Sequence, residues 1–239
     1  MTTVLGLDPA NRRPWAYAVL RAHGRRARPR LVAAGAVPGW AEALGLAADL
    51  GPSVVAVDAP LGYPLGQCCL EESCACKPAL PLTGRACERE LARLGIASFW
   101  TTKRTIIKPM VYAAIRLRQG LEARGIPVLE VYPYAAKVLL FGRTSKSTVK
   151  KSTPEGLSHL TRQVGTLVTG LGRVAPEPSH DTLDAILAAY TGVLHLRGET
   201  DTLGVAEEGT VTIPRTPSRH SGHALGPREV ALKRIVSSD

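Results

Sequence analysis

No stretch of this chain approaches the ~18 consecutive apolar residues of a membrane-spanning helix, so the sequence offers no membrane span. The opening residues, Met1-Thr2-Thr3-Val4, lack the charged start and long apolar segment of a secretory signal. Cytoplasmic residence is the default expectation. Aromatic residues are scarce at 5%, which argues against a binder that holds single strands on stacking platforms. There is no internal repeat and no glycine-rich phosphate loop.

What is present is a core and an excess of positive charge. The 239 residues are 45% hydrophobic, enough for one elaborated domain or two small ones. The net charge is +10 and the pI about 9.7, with arginine outnumbering lysine. Such a surface favours polyanionic partners, nucleic acid first among them.

The apolar runs give the order of elements. Residues 3–8, 15–20 and 30–37 read as strands with short polar links, which favours an antiparallel meander. Helical spacing over 40–50 ends at Gly51-Pro52, and a strand runs to Asp58. Residues 59–83 are rich in Pro, Gly and Cys and read as a long loop, a length that in compact domains usually serves function. Helices are expected over 84–94, 110–124, 154–171 and 179–196, a strand over 127–132 broken by Pro133, and a hairpin over 201–213. Strands reached through helical crossovers lie parallel to the first, which sets the ends of strands one, four and five side by side. Sites in open α/β sheets sit beyond such carboxyl ends.

Carboxylates stand at those places. Asp8 ends Val4-Leu5-Gly6-Leu7, Asp58 ends Val54-Val55-Ala56-Val57, and Glu130 interrupts Val128-Leu129-Glu130-Val131. Asp181 and Asp184 lie three apart, hence on neighbouring positions of the last long helix. Carboxylates in apolar runs are costly to bury alone and become reasonable around a divalent cation, which takes hard oxygen ligands. Mg²⁺ or Mn²⁺ at Asp8, Asp58, Glu130, Asp181 and Asp184 would give metal-assisted phosphoryl chemistry. Plainer roles stand beside this one. Asp8 and Asp58 suit turns, Glu130 suits a solvent-facing strand edge, and Asp181 suits the first turn of a helix capped by Ser179. His180 fits either a general acid/base or a capping-region histidine.

Basic residues gather at Lys103, Arg104 and Lys108, and again at Arg143, Lys146, Lys150 and Lys151; both groups suit phosphate contacts or a solvated loop. Cys68, Cys69, Cys74 and Cys76 crowd the long loop. In a reducing compartment such a cluster suggests metal more than a disulfide framework, and structural Zn²⁺ is one reading. The spacing Cys-Cys-x4-Cys-x-Cys is not the common paired C-x-x-C, so free thiols or an adventitious disulfide remain the other.

The ordered set of segments resembles the RNase H-like fold. It is closest to a family whose members are predicted from sequence to be nucleases of that fold, the domain of unknown function 429. The segments are Val4-Leu5-Gly6-Leu7-Asp8, Val55-Ala56-Val57-Asp58-Ala59-Pro60-Leu61-Gly62 and Arg85-Ala86-Cys87-Glu88-Arg89-Glu90-Leu91. They continue with Glu130-Val131-Tyr132-Pro133, Ser179-His180-Asp181-Thr182-Leu183-Asp184-Ala185 and Glu207-Glu208-Gly209-Thr210-Val211-Thr212-Ile213-Pro214. The paired acids of the last helix also resemble the resolvase branch of this fold, where they close the metal site. The resemblance implies an α/β domain over 1–214, an RNase H-like mixed sheet flanked by helices, with 59–83 as an insertion. From Arg215 onward the chain is rich in Ser, Pro, Gly, Arg and His, and 215–239 reads as a basic, flexible tail, partly helical over 228–236. The resemblance also implies a metal-dependent nuclease acting on nucleic acid. Two other readings remain: a non-catalytic nucleic-acid binder of the same fold, and a phosphotransferase of the actin-like fold, which requires a second, duplicated domain.

Overall fold

The computed structural model of the chain describes residues 1–24, 26–142 and 153–215. Strands β1 (Thr2–Asp8), β2 (Trp15–Ala22) and β3 (Arg30–Val37) form the expected antiparallel meander. Helix α1 (Trp40–Leu50) leads to β4 (Val54–Val57), which pairs parallel to β1. After a long irregular segment come α2 (Ala86–Arg93), α3 (Lys108–Glu122) and β5 (Val128–Val131), parallel to β4. Then follow α4 (Pro133–Phe141), α5 (Pro154–Leu167), the short α6 (Leu171–Val174) and the long α7 (His180–Leu196). Strands β6 (Thr200–Leu203) and β7 (Val211–Pro214) flank a single 3-10 turn at Ala206–Glu208.

The strands make one seven-stranded sheet in the order β3-β2-β1-β4-β5-β7-β6. With β2 antiparallel to its neighbours and β1, β4 and β5 parallel, this is the mixed α/β, RNase H-like arrangement expected. Three expectations change. The terminal hairpin is part of the main sheet, because β7 pairs parallel to β5. Pro133 ends β5 and at once starts α4, its fixed φ and missing N–H suiting a first helical position. Helix α5 stops at Leu167, where Val168 turns extended and Thr169 bridges to Arg30 at the edge of β3. The described strands all belong to this one sheet. The tail expected from residue 215 lies, Arg215 apart, outside the described residues.

Alternation along the strands divides the core in two. Leu5, Leu7, Val55 and Val57 pack with Ala114, Leu117 and Leu121 of α3 and Ala43 and Ala47 of α1. Val4 and Val54 face the other way, against Leu183, Ile186, Leu187 and Val193 of α7. Ala56 joins them against Ala188. Because side chains alternate with a period of two, Asp8 continues the face of Val4 and Gly6, and Asp58 that of Val54 and Ala56. Both acids therefore fall on the α7 face. Glu130 has the parity of Val128, which packs with the α1 and α3 side, and it stands beside Val57 in register. It falls on the opposite face.

Gly6 sets the height of α7 above the sheet. A Cβ there would lie 2.2 Å from the carbonyl oxygen of Ala185 and 2.4 Å from the backbone nitrogen of Ala189. Backbone meets backbone at this point, so the clash has no flexible side chain to absorb it. The contact lies two residues before Asp8 and one residue after Asp184, and so carries the first turn of α7 over the strand ends. Gly6→Ala should lower stability by about 1–3 kcal/mol or more through overpacking, read as a drop in the denaturation midpoint. A midpoint equal to that of the parent would show that α7 is not seated on β1 this closely.

Candidate functional site

A cavity of about 380 Å³ opens beyond the carboxyl ends of β1, β4 and β5. Asp8, Asp58, Asp181 and Asp184 line it together, beside Arg13, Phe99, Tyr132 and Tyr134. Asp8 is the last residue of β1, and Asp58 follows β4 with its N–H still bonded to the Leu7 carbonyl at 2.9 Å. Asp181 and Asp184 occupy the first turns of α7, whose N-cap Ser179 accepts from the Thr182 N–H at 3.1 Å. Three elements remote in sequence thus bring four carboxylates to one cavity. Asp184 is only 8% exposed, whereas Asp8, Asp58 and Asp181 are half-buried.

Cations stand against two of the acids. Arg13 reaches Asp181 at 2.6 Å across the rim, an exposed contact of small energetic weight. Lys137, inward on α4, pairs with Asp184 where both are largely buried. The Tyr132 phenol is pushed up first by burial, then by the charges of Asp58, Tyr134 and Asp184, so these acids share one field. Hard oxygen donors in this setting suit Mg²⁺ or Mn²⁺. No three of these acids gather within 4.8 Å of one another. Among the described residues, the group of three or more metal-ligating side chains gathered that closely is the four cysteines, whose sulfurs all lie within 4.8 Å of one another.

The solvent-facing reading of Glu130 requires correction. The residue is 6% exposed, so it does not face solvent. Its two oxygens accept from the Arg85 guanidinium at 2.5 and 2.7 Å, and one of them also accepts from the Leu61 N–H at 2.7 Å. The carboxylate lines the cavity, and both of its oxygens are engaged by the Arg85 guanidinium. Arg85 also donates to Glu88 at 3.0 Å, and Glu88 in turn accepts from the Thr101 backbone at 2.9 Å and from its hydroxyl. Glu208, buried nearby, accepts from the Leu65 N–H at 2.9 Å and from the Ala86 N–H. Sequence reasoning assigned no role to Arg85, Glu88, Glu208 or Lys137. The first three lie inside segments that carry the family resemblance, which is the signal that could have found them. Lys137 lies outside those segments and is disclosed by folding alone.

The remaining candidates are placed as follows. His180 starts α7 but does not line the cavity. Lys103 donates to the Cys74 carbonyl, and Lys108 lies 3.7 Å from Glu71, so both fasten the cysteine loop. Arg104 is the exposed member of that trio, 3.9 Å from Glu72. Arg143, Lys146, Lys150 and Lys151 lie outside the described residues.

A family model described as Protein of unknown function (DUF429) matches residues 6–208. The chain belongs to this family. The matched span of this DUF429 protein holds both the acids of the cavity and the Arg85 ion pairs. No curated protein matches the sequence. Solved structures similar to it include two of one resolvase. One is Thermus thermophilus RuvC, at a TM-score of 0.44 and 19% identity over 82% of this chain and 96% of that one. The other is RuvC of the same organism in complex with a Holliday junction substrate, at 0.43 and 16% over the same shares.

Arg85→Met should cost about 3–5 kcal/mol, because it leaves Glu88 and Glu130 buried without their cation. Pairing it with Glu130→Gln should recover part of that loss. Chemical denaturation of both variants checks the coupling, and purely additive losses would mean that the two side chains do not interact.

Proposed function

We propose that this protein is a divalent-metal-dependent nuclease that hydrolyses phosphodiester bonds in nucleic acid. The observation that carries the reading is the meeting of Asp8, Asp58, Asp181 and Asp184 in one cavity at the carboxyl ends of parallel strands. The occupants that suit these donors are Mg²⁺ or Mn²⁺. A bound ion of this kind supplies Lewis-acid stabilisation and eases deprotonation of water.

The protein's own part is placement and charge. Strand ends hold Asp8 and Asp58 rigidly, and the close seat of α7 on Gly6 holds Asp181 and Asp184 opposite them. Arg13 at the rim is placed to meet a phosphate, which its guanidinium fork suits. The net charge of +10 draws a polyanion toward the cavity despite the acids within it. Lys137 neutralises Asp184 and must share it with an incoming cation or yield it.

A second reading draws on the same ion pairs. Arg13 and Lys137 occupy two of the acids in the manner of a site that needs no metal. A non-catalytic nucleic-acid binder of this fold would keep such pairs permanently.

Cleavage assays separate the two. Wild type should cut nucleic acid only with Mn²⁺ or Mg²⁺, while Asp8→Asn and Asp184→Asn should not cut. Asp8→Asn should melt at an equal or higher temperature, since it relieves repulsion among facing carboxylates. Both variants retaining the parental rate would reject the assignment to these acids. A wild type inert on DNA and RNA, single- and double-stranded, would transfer the conclusion to the binder. In either case affinity for nucleic acid should fall steeply from low to moderate salt; a flat response would remove nucleic acid as the partner.

A further inference from the structure

The four cysteines of the long loop lie outside the acidic cavity, and nothing in the nuclease reading uses them. We propose that Cys68, Cys69, Cys74 and Cys76 form a structural Zn²⁺ site that locks the loop between residues 65 and 79.

The distances favour a metal over a disulfide. Cys68 Sγ and Cys74 Sγ are 3.7 Å apart, and all four sulfurs fall within 4.8 Å of one another. Tetrahedral zinc with Zn–S bonds of ~2.3 Å sets its sulfurs about 3.8 Å apart, whereas a disulfide needs about 2.0 Å. All five cysteines of the chain are free thiols, and Cys87 is buried away on α2. Four soft sulfur donors select Zn²⁺ over Mg²⁺ or Mn²⁺. A bend in the backbone at Cys68 accompanies the convergence of two adjacent residues on one point, which an extended chain would send to opposite sides.

Apart from a metal, the loop is held by polar contacts, those of Lys103 and Lys108 among them, and by little apolar burial. Its neck is closed by the Ala79 N–H to the Leu65 carbonyl at 2.6 Å. Gly66, at φ +84°, keeps the two strands of that neck in contact, since a Cβ there would lie 2.7 Å from the Ala79 nitrogen. Within the neck only Leu70 is fully buried, against Val111 and Ile115. The Leu70 N–H donates to the Tyr112 hydroxyl at 2.8 Å, and that hydroxyl donates to Glu71 at 2.7 Å. One buried leucine and a few hydrogen bonds are little against the entropy of ordering such an excursion, and small units of this kind are commonly stapled by metal. Four thiolates leave no open position on a tetrahedral ion, so the site is structural rather than catalytic. Binding replaces the thiol protons, which pass to solvent.

The test uses the full chain purified under reducing conditions without added metal. Elemental analysis should find about one zinc per chain. The four loop thiols should resist a thiol reagent until zinc is stripped, and then react. Co²⁺ added to the stripped protein should give thiolate charge-transfer and tetrahedral absorption bands. Stripping should speed proteolytic cleavage within 65–79, and added zinc should restore resistance. Cys74→Ser should lose the stoichiometric zinc; should that variant fail to fold, the cobalt spectrum of the parent decides. Metal-free protein with freely reacting thiols, a Cys68–Cys74 disulfide in unreduced material, or iron in place of zinc would each overturn the proposal. These readouts do not involve cleavage of nucleic acid, so the site stands or falls apart from the nuclease reading.

Discussion

A guanidinium with 1% exposure, held by two carboxylates, is the interaction on which the rest of the architecture depends. An arginine cannot shed its charge, so Arg85 must find anions wherever it is buried. Glu130 supplies them from β5, and Glu88 from the turn that Arg85 itself caps. The anions then need further donors, found in Leu61 and Thr101. Glu208, beside them in the 3-10 turn, takes Leu65 and Ala86. Each bond ties a different segment. The irregular chain after β4, the start of α2 and the approach to α3 are fixed to the end of β5 and to the 3-10 turn before β7. Hydrophobic packing gives this corner less to work with, because long loops bury few apolar side chains.

This arrangement has a consequence for the acidic cavity. Two sets of carboxylates meet at the same end of the sheet and are sorted by strand parity. Asp8 and Asp58 fall on the α7 face and meet Asp181 and Asp184. Glu130 falls on the other face and meets Arg85. The first set is left facing a cavity with Arg13 and Lys137 as its cations; the second is buried and neutralised within the fold. One end of the sheet therefore carries a structural charge cluster and a candidate chemical one, which border the same cavity.

Much of the architecture was legible because it rests on local signals. The meander followed from short polar links, the parallel strands from helical crossovers, and α7 from its Ser179 cap and long apolar face. The errors were also local in origin. Pro133 is both a strand terminator and a helix initiator, and only the packing of α4 decides which role is visible. The hairpin at 200–214 has too few residues to reveal that β5 offers it an edge. Glu130 was read from its apolar neighbours, which signal burial but do not name a partner.

The sequence by itself determined which residues are acidic at strand ends and which stretch is rich in cysteine, since both are written in local order. The tertiary structure decided everything that depends on a partner distant in the chain. It set Glu130 against Arg85, 45 residues away, and Lys137 against Asp184, and it drew two adjacent and two separated cysteines around one point. A side chain's charge and spacing are written locally, but its neutralisation depends on what the fold brings within a few ångströms.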